Sequence, residues 1–174
     1  SFTGGTTIAA GTLELSGGGV LPGSGNVMVQ NGAMLAVGAT SSVTAGGDIL
    51  LAGTANIAGT VGGAVYVQSG GLLQGSGTVA ALDVAAGGTV SPGANSAGGS
   101  GVGTLAVSGS AENLWRGDST LYFQFSTADT DLALAGTQGT PGTDWDYLNI
   151  NGALSIAADS THRIRIQIDS WLLD

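Results

Sequence analysis

The feature that most limits how this chain can fold is a repeated couple: a short apolar strand, a few small residues, a glycine, then a second short strand. Val27 to Val29 leads through Asn31-Gly32 to Leu35, Val65 to Val67 through Gly70-Gly71 to Leu72, and Leu82 to Val84 through Gly87-Gly88 to Val90. First strands at Val27, Ile49, Val65, Leu82 and Leu105 recur at an imperfect spacing. That spacing is roughly 20 residues, the size of one turn of a solenoid. The strands carry β-type residues with period-2 character, and the glycines between them supply the positive-φ positions that tight turns require.

Strands this short make no stable isolated hairpin. Stacked on like neighbours, each gains backbone hydrogen bonds on both edges, and the inward Leu, Val and Ile merge into one core. The pattern predicts an all-β fold, a single-stranded parallel β-helix (β-solenoid) with rungs of about 20 residues. An antiparallel sandwich is the alternative arrangement of the same strands. No helix is expected, because no capping signal precedes a run of 3.6-residue period.

Composition narrows the choice. Glycine occurs 33 times in 174 residues, but proline only at Pro22, Pro92 and Pro141 and without a G-x-y period, which excludes collagen. A hydrophobic fraction of 43% is too high for a simple disordered chain. Lysine is absent, and Arg116, Arg163 and Arg165 face twelve acids for a net charge of -9. That balance argues against a nucleic-acid surface or anionic lipid, both of which need clustered cations. With no cysteine there is no disulfide, thiolate nucleophile or cysteine metal site. The first residue, Ser1, is compatible with a processed start, and no apolar run approaches the ~20 residues of a membrane helix, so direct membrane insertion is not expected.

The character changes after Gly109. Residues 1–109 read as regular glycine-rich rungs, and 110–174 as wider rungs of the same solenoid carrying Trp115, Tyr122, Phe123, Phe125, Trp145, Tyr147 and Trp171. Strands are expected over Ser119 to Ser126, Tyr147 to Ile150, Ala153 to Ile156 and His162 to Ile168, with a polar loop over 127–144. In the last strand the isoleucines share one face and Arg163, Arg165 and Gln167 the other.

Several segments resemble a known family. Gly4-Gly5-Thr6-Thr7-Ile8-Ala9-Ala10-Gly11-Thr12-Leu13, Gly75-Ser76-Gly77-Thr78-Val79, Gly87-Gly88-Thr89-Val90-Ser91-Pro92-Gly93, Gly103-Thr104-Leu105-Ala106-Val107-Ser108-Gly109 and Trp145-Asp146-Tyr147-Leu148-Asn149-Ile150-Asn151-Gly152 are similar to repeats of bacterial autotransporter passenger domains and autotransporter-associated β-strand repeat proteins. The resemblance covers nearly the whole chain. It implies a right-handed parallel β-helix, secreted by a Gram-negative-type cell and displayed or released at its surface. Family activities run from adhesion to hydrolysis, so the resemblance alone does not choose among them.

Candidate chemistry is sparse. The single histidine, His162, has Asp159 and Ser160 close in sequence, but adjacency does not make the geometry of a triad, and an outward strand position accounts for it. Asp129 with Asp131, and Asp144 with Asp146 beside Trp145, are acid pairs two apart. On one strand face such pairs would suit Ca²⁺ ligation, sugar contact or glycoside hydrolysis; a solvated loop rim is the simpler reading. Arg116-Gly117-Asp118 is an integrin-recognition tripeptide that a loop could present for adhesion, or an ordinary charged turn. The late aromatics suit a wider core and end cap, or a platform for sugars.

A solenoid also has two open ends, each a ladder of unpaired backbone groups that must be capped or joined. The apolar C-terminal segment Ser170-Trp171-Leu172-Leu173-Asp174 and the uncharged start suit pairing of ends between copies, which would give a filament. The expectation is a non-enzymatic structural or adhesive extracellular module, without cofactor. It would self-associate or bind a cell-surface or matrix ligand. A carbohydrate-binding or carbohydrate-cleaving β-helix using the acids and aromatics of residues 115–147 is the rival.

Overall fold

The computed structural model describes residues 4–23, 25–44, 46–93, 101–126 and 139–171. The chain coils through successive three-sided turns. The first holds β1 (Thr6–Ile8), β2 (Gly11–Leu15) and β3 (Val20–Leu21), and the second β4 (Val27–Val29), β5 (Ala33–Val37) and β6 (Ser42–Val43). The third takes β7 (Ile49–Leu51), β8 (Thr54–Ile57) and the start of β9 (Thr60–Val67); the fourth takes the rest of β9, β10 (Leu72–Gly75) and the start of β11 (Thr78–Val84). The end of β11, β12 (Thr89–Pro92) and β13 (Thr104–Val107) make the fifth. Then come β14 (Asn113–Arg116), β15 (Thr120–Ser126) and β16 (Tyr147–Ile150), and finally β17 (Leu154–Ala157) and β18 (Arg165–Trp171). The ladders between these strands are all parallel, and no helix occurs among the described residues. This is the parallel β-solenoid that the strand couples predict, and the antiparallel sandwich is set aside.

Three vertical files run through the core, each contributing one apolar side chain per turn, and Val27, Ile49, Val65 and Leu82 form a further file beside the first. On the first side Ile8, Val29, Leu51, Val67, Val84, Trp115 and Ile156 lie in register. The second side stacks Leu13, Leu35, Ala55, Leu73, Val90, Leu121 and Ile166. The third stacks Leu21, Val43, Val61, Val79, Val107 and Ile150. Period-2 alternation does this: β5 and β7 read buried, half-buried, buried, so every second residue meets the files across the coil. Each fully enclosed Leu or Ile contributes about 1.5–3 kcal/mol of burial, and Leu35, Ile49, Leu51, Ile57, Leu73, Leu82 and Leu105 are all enclosed.

Corners require close backbone approach. A Cβ on Gly59 would run into the carbonyl oxygens of Ser41 and Gly38 from the turn above, so only glycine fits there. Where the third side meets the first, side chains close the ladder instead. The Asp48 carboxylate accepts the N–H of Ala64 (2.9 Å), Asp83 that of Leu114 (2.9 Å), and Asn113 Oδ1 that of Leu82 (2.8 Å).

Two details differ from the sequence reading. Leu105 does not begin the next first-side strand after Leu82; β13 stacks on the third side against Val79, and Asn113–Arg116 takes the first-side place. The last strand begins at Arg165, not His162, because the Asp159 carboxylate accepts the N–H groups of Thr161 and His162 (both 2.7 Å) and holds that stretch in a turn.

Candidate functional site

The clearest unusual surface is the end of the coil below the last described turn. The three core files continue into it with the same inward alternation. Yet Leu154 is 45% exposed, Ile156 59%, Ile166 61% and Ile168 64%, whereas Asn113 and Trp115 above the first two are buried and Leu121 and Phe123 above the last two are half-buried. Leu154, Ile156 and Ile166, together with Trp115 and Leu148, line an apolar hollow of about 220 Å³. A second groove of about 370 Å³ continues from it along Phe123, Phe125, Trp145, Tyr147, Ile166 and Ile168. Contiguous apolar surface of this kind marks an interaction site.

Asp146 sits at the wall of this groove and does a structural job. It is 2% exposed. One oxygen accepts the N–H of Gly103 (2.9 Å) and the other that of Gln124 (2.8 Å), so a single carboxylate ties the entry of β13 to β15. Burial pushes its pKa from 3.8 up to about 6, against the opposing pull of the two N–H donors. Asp144 is engaged elsewhere: its carboxylate accepts the N–H of Thr140. The two acids therefore serve different backbone groups and form no shared pair facing a ligand. Trp145 is half-buried between them, with Phe125 and Pro141 as bridging neighbours. Asp129 and Asp131 lie outside the described residues. Among the described residues no group of three His, Cys, Asp or Glu side chains is placed to hold a metal ion.

The Arg116-Gly117-Asp118 tripeptide forms a corner between β14 and β15. Its backbone is tied on both sides: Asp118 N–H donates to the carbonyl of Arg163 (2.9 Å) and the Asp118 carbonyl accepts from Gly87 N–H (2.9 Å). Gly117 is buried, and a Cβ there would strike the His162 carbonyl. The arginine and aspartate side chains remain exposed on either side of it. The tripeptide is thus a fixed corner of the rod, without the projecting loop the sequence allowed.

His162 belongs to the next corner down. Its Nδ1 lies 3.0 Å from Thr161 Oγ1 and 3.3 Å from Asp159 Oδ2. The Thr161 hydroxyl, then the N–H groups of His162 and Thr161, hold the Asp159 carboxyl well below the usual carboxylate range. Ser160 contributes its carbonyl to Arg163 Nε (3.1 Å), and the arrangement is a capped turn with no nucleophile–base geometry.

Of the aromatics singled out from the sequence, Phe123, Phe125, Trp145 and Tyr147 share one groove and Trp115 lines the other hollow; the exposed isoleucine end was missed, since alternation reads the same whether or not a further layer covers it. No protein-family model, no curated protein and no solved structure matches the chain.

Proposed function

We propose that this chain is a structural or adhesive rod of an extracellular or cell-surface protein, and that the rod associates end to end. The observation that carries the reading is the apolar lower end, where Ile156 and Ile166 extend core files that nothing covers among the described residues, with the exposed Ile168 two residues further along the same strand. The occupant with matching form is the first turn of a second copy. Its β1, β2 and β3 carry Ile8, Leu13 and Leu21 at the head of the same three files, with the same parallel strand direction. Copies stacked this way are related head to tail, and such contacts repeat into a filament. Secretion from a Gram-negative-type cell is part of the proposal. It is supported by the passenger-like repeats.

Sedimentation velocity and electron micrographs test it. The wild-type chain is expected to form rods that lengthen with concentration, and an Ile166→Asp/Ile168→Asp chain to stay monomeric, since each carboxylate would be buried unpaired in the joint. Wild-type particles that remain monomeric across that range, or double-variant rods as long as wild type, overturn the reading.

A second reading keeps one observation of its own. The groove bearing Phe125, Trp145 and Tyr147 offers aromatic faces suited to sugar rings. With Asp146 committed to two backbone donors, the groove supports binding and not cleavage. Quenching of tryptophan fluorescence by neutral oligosaccharides, lost in Tyr147→Ala, would favour it over end-to-end stacking.

A further inference from the structure

The geometry points to a binding site for an acidic carbohydrate, a sugar bearing carboxylate or sulfate, at the corner formed by Asp118, Arg163 and Arg165. It stands apart from end-to-end association, and a rod that never assembles would still carry it.

The first observation is where the cations lie. The only positively charged residues of a chain with net charge -9 are Arg116, Arg163 and Arg165, and stacking brings the segments that carry them into adjacent corners. Asp118 N–H bonds the Arg163 carbonyl, Arg165 N–H bonds the Ser119 carbonyl (2.9 Å), and Arg116 pairs in register with Ala157. Arg163 and Arg165 line an open recess of about 460 Å³ with Asp118, Ser160, Thr161 and Ile164. Arg163 Nε is held by the Ser160 carbonyl at 3.1 Å, which orients the guanidinium while its terminal nitrogens remain for a ligand. Among the described residues the one ion pair is His162 with Asp159, so neither arginine is neutralised by Asp118 across the recess.

The second observation is backbone conformation. The corners at Gly70, Gly87 and Asp118 form one hydrogen-bonded column, Gly70 N–H to Gly87 O (3.0 Å) and Gly87 N–H to Asp118 O (2.9 Å). All three have positive φ, 80°, 78° and 63°, and Asp118 is the one non-glycine with positive φ among the described residues. Glycine fills this place in the turns above. Aspartate tolerates this region better than most side-chain-bearing residues, and the corner holds its exposed carboxylate beside the two arginines.

The chemistry of the recess then defines its ligand. Two guanidinium groups recognise a carboxylate or sulfate through charge-assisted paired hydrogen bonds. A carboxylate beside them accepts from hydroxyl groups, and Ser160 and Thr161 bring hydroxyls of their own. An anionic group next to several hydroxyls is an acidic sugar unit.

Isothermal titration of the folded chain tests this with three probes: oligogalacturonate, a sulfated dextran oligomer and neutral dextran. Binding to one or both acidic probes, weakened by added salt, and none to neutral dextran is expected. Arg163→Ala/Arg165→Ala should lose about tenfold or more in affinity and Asp118→Asn about threefold, with Arg116→Ala within about twofold of wild type. Asparagine tolerates positive φ, so that variant removes the charge and keeps the corner. Melting curves confirm that each variant is folded. Wild-type protein that binds neither acidic probe at about millimolar concentration, a double arginine variant that binds as wild type, or an Asp118→Asn chain with unchanged affinity overturns the proposal.

Discussion

Asp146 makes the stability of the rod depend on pH, in the direction opposite to that of an ordinary salt-bridged aspartate. Its carboxyl has a folded-state pKa raised from 3.8 to about 6 by burial. A raised value means that the folded chain holds a proton the unfolded chain has already released. Between those two values the folded state binds more protons, so stability falls as pH rises. The stabilisation is fully present below about pH 4 and is gone above about pH 6, and a shift of this size corresponds to at most roughly 3 kcal/mol. The other acids also respond to pH through their mutual repulsion, so the informative quantity is the difference between wild type and Asp146→Asn. Asparagine cannot titrate, and its single acceptor oxygen serves only one of the N–H groups of Gly103 and Gln124. Equilibrium urea unfolding, followed by tryptophan fluorescence from pH 4 to pH 7.5, should show the wild-type advantage over the asparagine variant shrinking by about 2–3 kcal/mol across that interval. An advantage that is constant, or that grows with pH, would refute the reasoning. It would mean that the two backbone donors outweigh the loss of water and keep the carboxylate ionised.

Other perturbations have separate outcomes. Asn113→Ala removes the acceptor for the buried Leu82 N–H and the donor to the carbonyls of Ala111 and Ala153 (3.2 Å each). It should cost about 1–3 kcal/mol in urea unfolding, since a buried donor is left unmade. Asp118→Gly relieves a positive φ of 63° and should raise stability by about 0.5–1 kcal/mol while abolishing the carboxylate's part in sugar binding. A differential melting scan of the two variants side by side checks both signs.

The strand couples were legible because they are local: Val27 to Val29 followed by Leu35 alternates so as to bury one face, and the structure buries that face. Which side of the coil a strand joins was not legible. All three core files use the same sequence of one apolar residue per turn, so Leu105 follows Leu82 at a plausible distance, and yet its strand joins the third side, where Val107 stacks under Val79. The pair Asp144 and Asp146 misled in the same way. A spacing of two implies a shared face only on an extended strand, and Asp146 immediately precedes β16 while Asp144 caps a turn with Thr140. Asp118 gave no signal, because an aspartate is ordinary in any turn. Its unusual conformation follows from sitting below Gly70 and Gly87, a fact of stacking and not of local sequence.

The strands β9 and β11 each run from the third side of one turn onto the first side of the next, and they pair with each other over most of their length. In a repeat protein whose turns touch only their neighbours, unravelling can proceed one layer at a time from either end. Here the central layers share unbroken strands, so they cannot part singly. Amide protons of Val61, Val65, Val79 and Leu82 should therefore exchange together and last, with protection declining towards Thr6 and towards Arg165, and a pulled rod should yield at its extremities before its waist.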